Sequence, residues 1–169
     1  LVRLVQKTGV LRRLKLRPLK AQLDLARSLP PIQTAAPKAT SCREKAQFFQ
    51  GCIQEALLPQ QNQATLAVLA RAGTACELPA GQSCCGALHA HTGELAAAKE
   101  LARQNIAAFE GTTGPVIVSG GGCGAHLKAY GHLLADDPEW AERARAFASR
   151  VRDFTEHMVD RPLALSPQP

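Results

Sequence analysis

The sequence predicts an α/β fold in which a small parallel sheet is flanked by helices. Short apolar runs alternate along the chain with stretches of helical periodicity, which is typical of a parallel sheet covered on both faces. Aromatic residues make up only 4% of the 169 residues and apolar residues 46%, so alanine and leucine must supply much of the core. In such a fold the loops that follow the strands lie along one edge of the sheet.

Three short runs are predicted to be strands. They are residues 46–49, residues 74–78 and Val116–Val118. The last run is the clearest, because it is β-branched throughout and lies between Gly-Pro and Ser-Gly. Each of the three runs is followed by a stretch that reads as a helix, which supports parallel strands joined by helical crossovers.

Four helices are predicted after these strands. Asn62 and Thr92 are polar residues suited to the first and second N-caps, and Gly73 suits the C-terminal cap position of the first helix. An Asp-Asp-Pro-Glu run beginning at Asp136 predicts the start of the fourth. The predicted spans are residues 63–72, 92–109, 123–134 and 138–158.

The fourth helix is predicted from the longest periodic stripe in the chain. Apolar residues recur there at spacings of four and three, which places them on one helix face. The stripe is interpreted as core packing rather than as a cofactor site. Its members are Trp140, Ala144, Phe147, Val151, Phe154 and Met158.

Three segments are predicted: a basic extension with its linker (residues 1–45), a globular domain (residues 46–160) and a short tail (residues 161–169). The net charge is +6, yet the first 45 residues hold eleven Lys or Arg and only two acids. The extension is predicted to be a helical connector that packs on a neighbouring domain. It has no aromatic residue for stacking on bases, so nucleic-acid binding is not expected.

The ends and hydropathy of the chain add two expectations. No run of about 18 apolar residues is present, so no transmembrane helix is expected. The chain begins at Leu1 and its one methionine is Met158. The sequence therefore reads as a segment of a longer protein.

Four of the six cysteines follow the predicted strands. Cys52 comes after the first strand, Cys84 and Cys85 are adjacent after the second, and Cys123 lies in a glycine run after the third. Since the carboxyl ends of parallel strands share one edge, we expect these four thiols to gather there. Soft thiolate ligands suit iron–sulfur or zinc chemistry.

Three other roles for the cysteines compete with metal binding. Structural disulfides are not expected in an alanine-rich α/β domain, where adjacent cysteines rarely both find partners. Cys76 lies within a strand and reads as a buried apolar residue, as does Cys42 in the linker. Cys123 at a helix N-terminus would have a lowered pKa, but no base with an orienting partner accompanies it.

The glycine run around Cys123 also matches a dinucleotide-binding pattern in form. Residues 120–125 read G-x-G-x-x-A after a strand. A dinucleotide site needs this pattern after the first strand and an acid about 20 residues later at a strand end. The run is better interpreted as backbone that approaches a bulky cluster closely.

These motifs together resemble one cysteine-rich "CCG" domain, as found in the heterodisulfide reductase B subunit and in glycolate oxidase iron–sulfur subunits. The resemblance spans about residues 46–160. It rests on Gly-Cys-Ile-Gln at Cys52, Cys-Cys-Gly-Ala at Cys84, Gly-Cys-Gly-Ala at Cys123 and a Lys-x-Tyr-Gly run ending at Gly131. The first of two such domains in the glycolate oxidase subunit is the most similar.

The resemblance implies an electron-transfer subunit of a glycolate (2-hydroxy acid) oxidase or dehydrogenase. It implies an iron–sulfur cluster, 4Fe-4S in type, held by Cys52, Cys84, Cys85 and Cys123, with FAD on a flavoprotein partner subunit and a quinone-linked acceptor. It also implies a ferredoxin-like domain and a second cysteine-rich domain elsewhere in the same protein. The expected location is the cytoplasm, with peripheral association at the inner face of the cell membrane. Zinc binding and disulfide reduction remain the alternatives.

The sequence departs from the family's fullest pattern at one cysteine. That pattern ends in Cys-x-x-Cys, whereas here Cys123 is followed three residues later by His126. His126 is therefore a candidate substitute ligand. His91, near the Cys-Cys-Gly loop, occupies a position that the resemblance shares and is the second candidate. His132 and His157 are expected at the surface.

Overall fold

A parallel sheet forms the centre of the domain in the computed structural model, which describes residues 43–159 and residue 161. Within these residues four strands pair in the order β2-β1-β3-β4, all parallel. The strands are β1 (Glu44–Phe49), β2 (Thr74–Glu77), β3 (Val116–Val118) and β4 (Val151–Asp153). The α/β fold class with a small parallel sheet is confirmed, and β1 begins two residues before the predicted strand.

Helices connect the strands and cover the sheet. None of the described helices, of which the longest has 16 residues, has both the length and the apolar character needed to cross a membrane. The predicted basic extension through residue 42, including Cys42, and the predicted tail beyond residue 161 lie outside the described residues. The helices are α1 (Cys52–Leu57), α2 (Pro59–Arg71), α3 (Ala87–His91), α4 (Leu95–Glu110), α5 (Gly121–Lys128), α6 (Tyr130–Leu133), α7 (Ala141–Arg150) and α8 (Phe154–Met158).

The two faces of the sheet carry two separate cores. Phe49 and Val118 point to the larger core, where Phe109 of α4 and Phe147 of α7 pack with ring centroids 5.7 Å apart. Phe48, next to Phe49 in the same strand, points to the smaller core beneath α2. Successive residues of a strand face opposite sides, so this alternation confirms a sheet that is buried on both faces.

The prediction of one long helix over residues 138–158 is wrong, because a strand interrupts it. Val151 is fully buried and pairs in register with Val116 at the sheet edge. Asp153 then caps α8, where its side chain accepts from the Thr155 amide and the Glu156 side chain accepts from the Asp153 amide. The apolar spacing continues across the strand, so periodicity alone could not reveal the break.

Two predicted N-caps are also wrong, while one glycine cap is confirmed. The helix α2 begins at Pro59, so Asn62 is buried inside it and donates a hydrogen bond of 3.2 Å to Glu55. Thr92 lies at the end of α3, where its hydroxyl donates to the Leu88 carbonyl. Gly73 has a φ of +84° immediately after α2, the left-handed geometry that favours glycine at this position.

Candidate metal centre

The loops that carry the four cysteines are neighbours because of the strand order. Cys52 is the first residue of α1 after β1, and Cys123 lies in the first turn of α5 after β3. Strand β1 lies between β2 and β3, and the chain crosses from one side of β1 to the other on leaving β2. The carboxyl ends of the strands at such a switch point form the usual ligand-binding crevice of open α/β sheets.

The four thiols form two close pairs at this crevice. The Cys52 thiol donates to Cys84 with an Sγ–Sγ distance of 3.4 Å, and the Cys85 thiol donates to Cys123 with a distance of 3.3 Å. All four are free thiols; Cys52 is exposed, Cys84 and Cys123 are half-buried, and Cys85 is buried. The thiols therefore extend from the protein interior to the solvent.

Proximity and burial shift the pKa values of these thiols. Burial, followed by the hydrogen bond to Cys84, raises the pKa of Cys52 to about 11. The hydrogen bond to Cys123, followed by burial, raises the pKa of Cys85. The same bond lowers the pKa of Cys123, which accepts it. Gathering four thiolates here is costly on its own, whereas a bound cation offsets their charge.

The arrangement of the thiols is not that of a site for one metal ion. In the part of the chain that the structure describes, no group of three or more His, Cys, Asp or Glu side chains has the arrangement of a single-ion metal site. The arrangement is instead two sulfur pairs contributed by three loops.

Two glycines leave space beside Cys123. A Cβ atom added to Gly51 would lie 2.8 Å from Gln54 Oε1 and 3.7 Å from Cys123 Sγ. A Cβ atom at Gly120 would lie 3.1 Å from the same oxygen and 3.7 Å from the same sulfur. A side chain at either position would press on the Gln54 amide and would come into ordinary van der Waals contact with the Cys123 thiol.

The arrangement agrees with the comparison to known protein families. Residues 46–128 match the CCG family, described as a cysteine-rich domain. This region is a CCG cysteine-rich domain. The match includes all four clustered cysteines of the domain, and no solved structure matches the chain.

Curated relatives match this cysteine-rich domain and its flanks. The chain is 44% identical over 162 residues to the "Probable glycolate oxidase iron-sulfur subunit" of Bacillus subtilis, covering 92% of this chain and 36% of that protein. It is 34% identical over 116 residues to "Lactate utilization protein A" of Bacillus thuringiensis and of Bacillus cereus, covering 69% of this chain and 48% of those proteins. The chain thus spans between a third and a half of the length of these relatives.

The two candidate histidines of the cysteine-rich domain, His126 and His91, lie on α5, which carries Cys123, and on α3, which begins directly after Gly86. His126 follows Cys123 by one turn of α5 and is half-buried; its Nε2 atom has no hydrogen-bond partner within the described residues. Its ring meets Tyr130 edge-on at 5.6 Å. Burial, followed by the nearby His91, lowers the pKa of His126, so its ring stays neutral at physiological pH. His91 ends α3 and is exposed.

The remaining residues singled out from the sequence lie away from the thiols. Cys76 packs against the smaller core on the opposite face of the sheet, and burial raises its pKa to about 12. His132 is exposed, as predicted. The prediction that His157 lies at the surface is wrong, because only 3% of it is exposed and it shares a hydrogen bond with Thr74. Lys128 pairs with Glu156 at 2.6 Å on the surface.

Sequence reasoning missed one residue that contacts the cysteine-bearing loop. Asn105 of α4 is fully buried and bonds to the backbone of Ser83 and Cys84. In the sequence it lies in the predicted helix over residues 92–109, between Gln104 and Ile106. A buried asparagine within an apolar helix face was the available signal, since such a side chain needs hydrogen-bond partners.

Proposed function

We propose that this cysteine-rich domain holds an iron–sulfur cluster, 4Fe-4S in type, through Cys52, Cys84, Cys85 and Cys123. The cluster relays electrons in a complex that oxidises glycolate or a related 2-hydroxy acid. Electrons come from a flavin on a partner flavoprotein subunit and pass toward a quinone-linked acceptor. The observation that carries the proposal is that four free thiols from three loops pair at the carboxyl ends of the strands.

The donor set fits an iron–sulfur cluster. Such clusters are held by cysteine thiolates, and a cluster that includes several irons and sulfides occupies more space than one ion. Two sulfur pairs contributed by three loops offer four thiolates to such a group. When bound, the cluster would supply one-electron redox chemistry at a potential set by its surroundings.

The protein's own residues would govern access to the cluster. Cys85 is 4% exposed and would anchor the buried side of the group. Cys52 is exposed and lies on the solvent side, where a redox partner could approach. His126 remains a candidate ligand, because its unpartnered Nε2 lies on the helix of Cys123; His91 is the weaker candidate, since it is exposed.

The names of the relatives support the choice of reaction. One relative is named as an iron–sulfur subunit of glycolate oxidase and others as lactate utilization proteins, and glycolate and lactate are both 2-hydroxy acids. A subunit works with other subunits, so we propose flavoprotein partners, a ferredoxin-like domain and a second cysteine-rich domain in the complete protein. We also propose that this complex works in the cytoplasm, at the inner face of the cell membrane, where a quinone can be reached.

The test is the metal and sulfide content of the complete protein prepared without oxygen. We expect iron and acid-labile sulfide in stoichiometric amounts, broad visible absorption, and an EPR signal after reduction. Addition of the flavoprotein partner with glycolate or lactate should then bleach the visible absorption. Bleaching by one acid and not by the other identifies the substrate.

Two other results would contradict the proposal. A colourless protein that contains zinc in place of iron would assign the thiols to a structural zinc site. A protein without metal that reduces a disulfide substrate would assign the thiol pairs to dithiol chemistry instead. Cys76→Ser provides the matched control in each assay, since Cys76 lies on the other face of the sheet.

A further inference from the structure

We infer that Asn105 and Tyr130 are positioning residues that hold the Ser83-Cys84-Cys85 backbone so that both adjacent thiols reach one cluster. The inference rests on the proposed function. Both side chains are fully buried, and they come from different helices, α4 and α6. Their polar atoms bond to the loop backbone and to each other, so we do not place either in the ligand set.

The two side chains form one hydrogen-bond network beneath the loop. Asn105 Oδ1 accepts from the Ser83 amide at 2.8 Å, and Asn105 Nδ2 donates to the Cys84 carbonyl at 2.9 Å. The same Nδ2 donates to Tyr130 Oη at 3.1 Å, and that hydroxyl donates to the Cys85 carbonyl at 2.7 Å. Three consecutive residues of the loop are therefore fixed by two side chains.

The loop needs this support because its two cysteines are adjacent. In an extended segment neighbouring side chains point to opposite sides, so adjacent thiols do not face the same group. Here Cys84 pairs with Cys52 while Cys85 pairs with Cys123, and residues 83–86 belong to no strand. Because no strand ladder holds this backbone, the side-chain network takes over that role.

Gly86 supports the same interpretation from the other end of the loop. Its φ is +85°, and an added Cβ atom would lie 3.4 Å from the Ala98 backbone of α4. Its amide donates to Cys84 Sγ at 3.5 Å. The loop is thus pressed against the helix that carries Asn105, and the backbone of both cysteines is held between α4 and α6.

The experiment compares three variants of the complete protein carrying its cluster. Tyr130→Phe removes the hydroxyl and keeps the ring that stacks on Phe147 with centroids 5.6 Å apart. Asn105→Leu removes all three bonds of the amide. Thr74→Val is the matched control, because it removes a buried hydrogen bond to His157 on a strand end away from the thiols. Thermal melting of each variant records its general destabilisation.

The rate of cluster loss to an iron chelator is the first readout. Partners that orient metal ligands typically contribute 10- to 100-fold in metal affinity. We expect Tyr130→Phe and Asn105→Leu to release iron about tenfold faster than the wild type or more, with shifted EPR g-values of the reduced cluster. We expect Thr74→Val to match the wild type in both readouts, although its melting temperature falls. If Asn105→Leu does not fold, Tyr130→Phe decides the result.

The outcomes separate this inference from the proposed function. A wild type without a cluster overturns the proposed function and the inference with it. A wild type that holds its cluster, with Tyr130→Phe equal to the wild type in release rate and EPR spectrum, overturns the inference alone. Faster release in Thr74→Val to the same extent would also overturn it, since the effect would then follow from general destabilisation.

Discussion

The thiols of Cys85 and Cys123 lie 3.3 Å apart although 38 positions separate them in the chain. Cys52 and Cys84 meet in the same way at 3.4 Å over 32 positions. Each pair joins the loop after β2 to the loop after another strand, β1 for Cys52 and β3 for Cys123. Parallel pairing of β1 with both β2 and β3 brings the three loops to the same end of the sheet. The sheet topology thus brings the thiols together.

The first prediction concerns oxidation of the metal-free protein by diamide. A disulfide needs sulfurs about 2.05 Å apart, which small side-chain movements can reach from the observed distances. Each pair of thiols would lose two electrons and two protons, which reduce one diamide to its hydrazine. We expect mass spectrometry of digested protein to find Cys52 joined to Cys84 and Cys85 joined to Cys123. A dominant product that joins Cys76 to any of these four would contradict the geometry.

The second prediction concerns single cysteine substitutions in the protein carrying its cluster. Cys85→Ser and Cys123→Ser each remove a soft thiolate from the crevice, so we expect most of the bound iron and the visible absorption to be lost. Cys76→Ser removes a partly buried thiol that packs on the opposite core, so its iron content should equal that of the wild type. Equal iron loss in all three variants would contradict the assignment of the ligands.

The first three strands, and with them the cysteine crevice, could be predicted from the sequence because their signals are local. Val116–Val118 is β-branched throughout and flanked by turn residues, and the structure places it as β3. Gly73 ends a helix with a φ of +84°, as its position indicated. Once three parallel strands are identified, the common edge of their following loops is a matter of topology.

The features that could not be predicted depend on contacts distant in sequence. The strand β4 forms because Val151 pairs with Val116 and is fully buried, whereas its own sequence continues the helical spacing of Phe147 and Phe154. His157 is buried because Thr74, 83 positions away, provides a hydrogen bond at 3.1 Å. The local sequence of a helix does not show which distant residues will contact it.

The third prediction tests the turn that leads into β3. Gly114 has a φ of +85°, and an added Cβ atom would lie 2.5 Å from the Lys45 carbonyl oxygen of β1. We expect Gly114→Ala to lower the free energy of unfolding by about 1–3 kcal/mol or more, because backbone strain and a clash with the sheet both result. Equilibrium unfolding in urea measures the change.

A neighbouring glycine provides the control for this turn. Gly111 has a φ of −70°, and no atom lies within 4 Å of an added Cβ. Gly111→Ala should therefore leave stability unchanged or raise it by about 0.4–1 kcal/mol through the entropy of the unfolded chain. Equal stability of the two variants would show that the turn tolerates a side chain at Gly114.

The fourth prediction concerns stability in mild acid. Burial, followed by the charge of Arg161, lowers the pKa of His157 in the folded protein, while Glu44 at 3.8 Å acts in the opposite direction more weakly. The unfolded chain therefore binds a proton more readily, near a pKa of about 6.5. Stability should be highest above that pH and should fall as the pH drops through 6.5 toward the lower folded-state pKa.

Substitution of His157 isolates this effect from the other titrating groups. In His157→Gln the neutral amide cannot take up the proton, so the loss of stability between pH 7.5 and pH 5 should be smaller than in the wild type. In the metal-free protein His126, whose pKa is also lowered by burial, should account for part of the remaining loss. Urea unfolding at both pH values measures each slope, and an unchanged slope in His157→Gln would contradict the assignment of acid sensitivity to this buried ring.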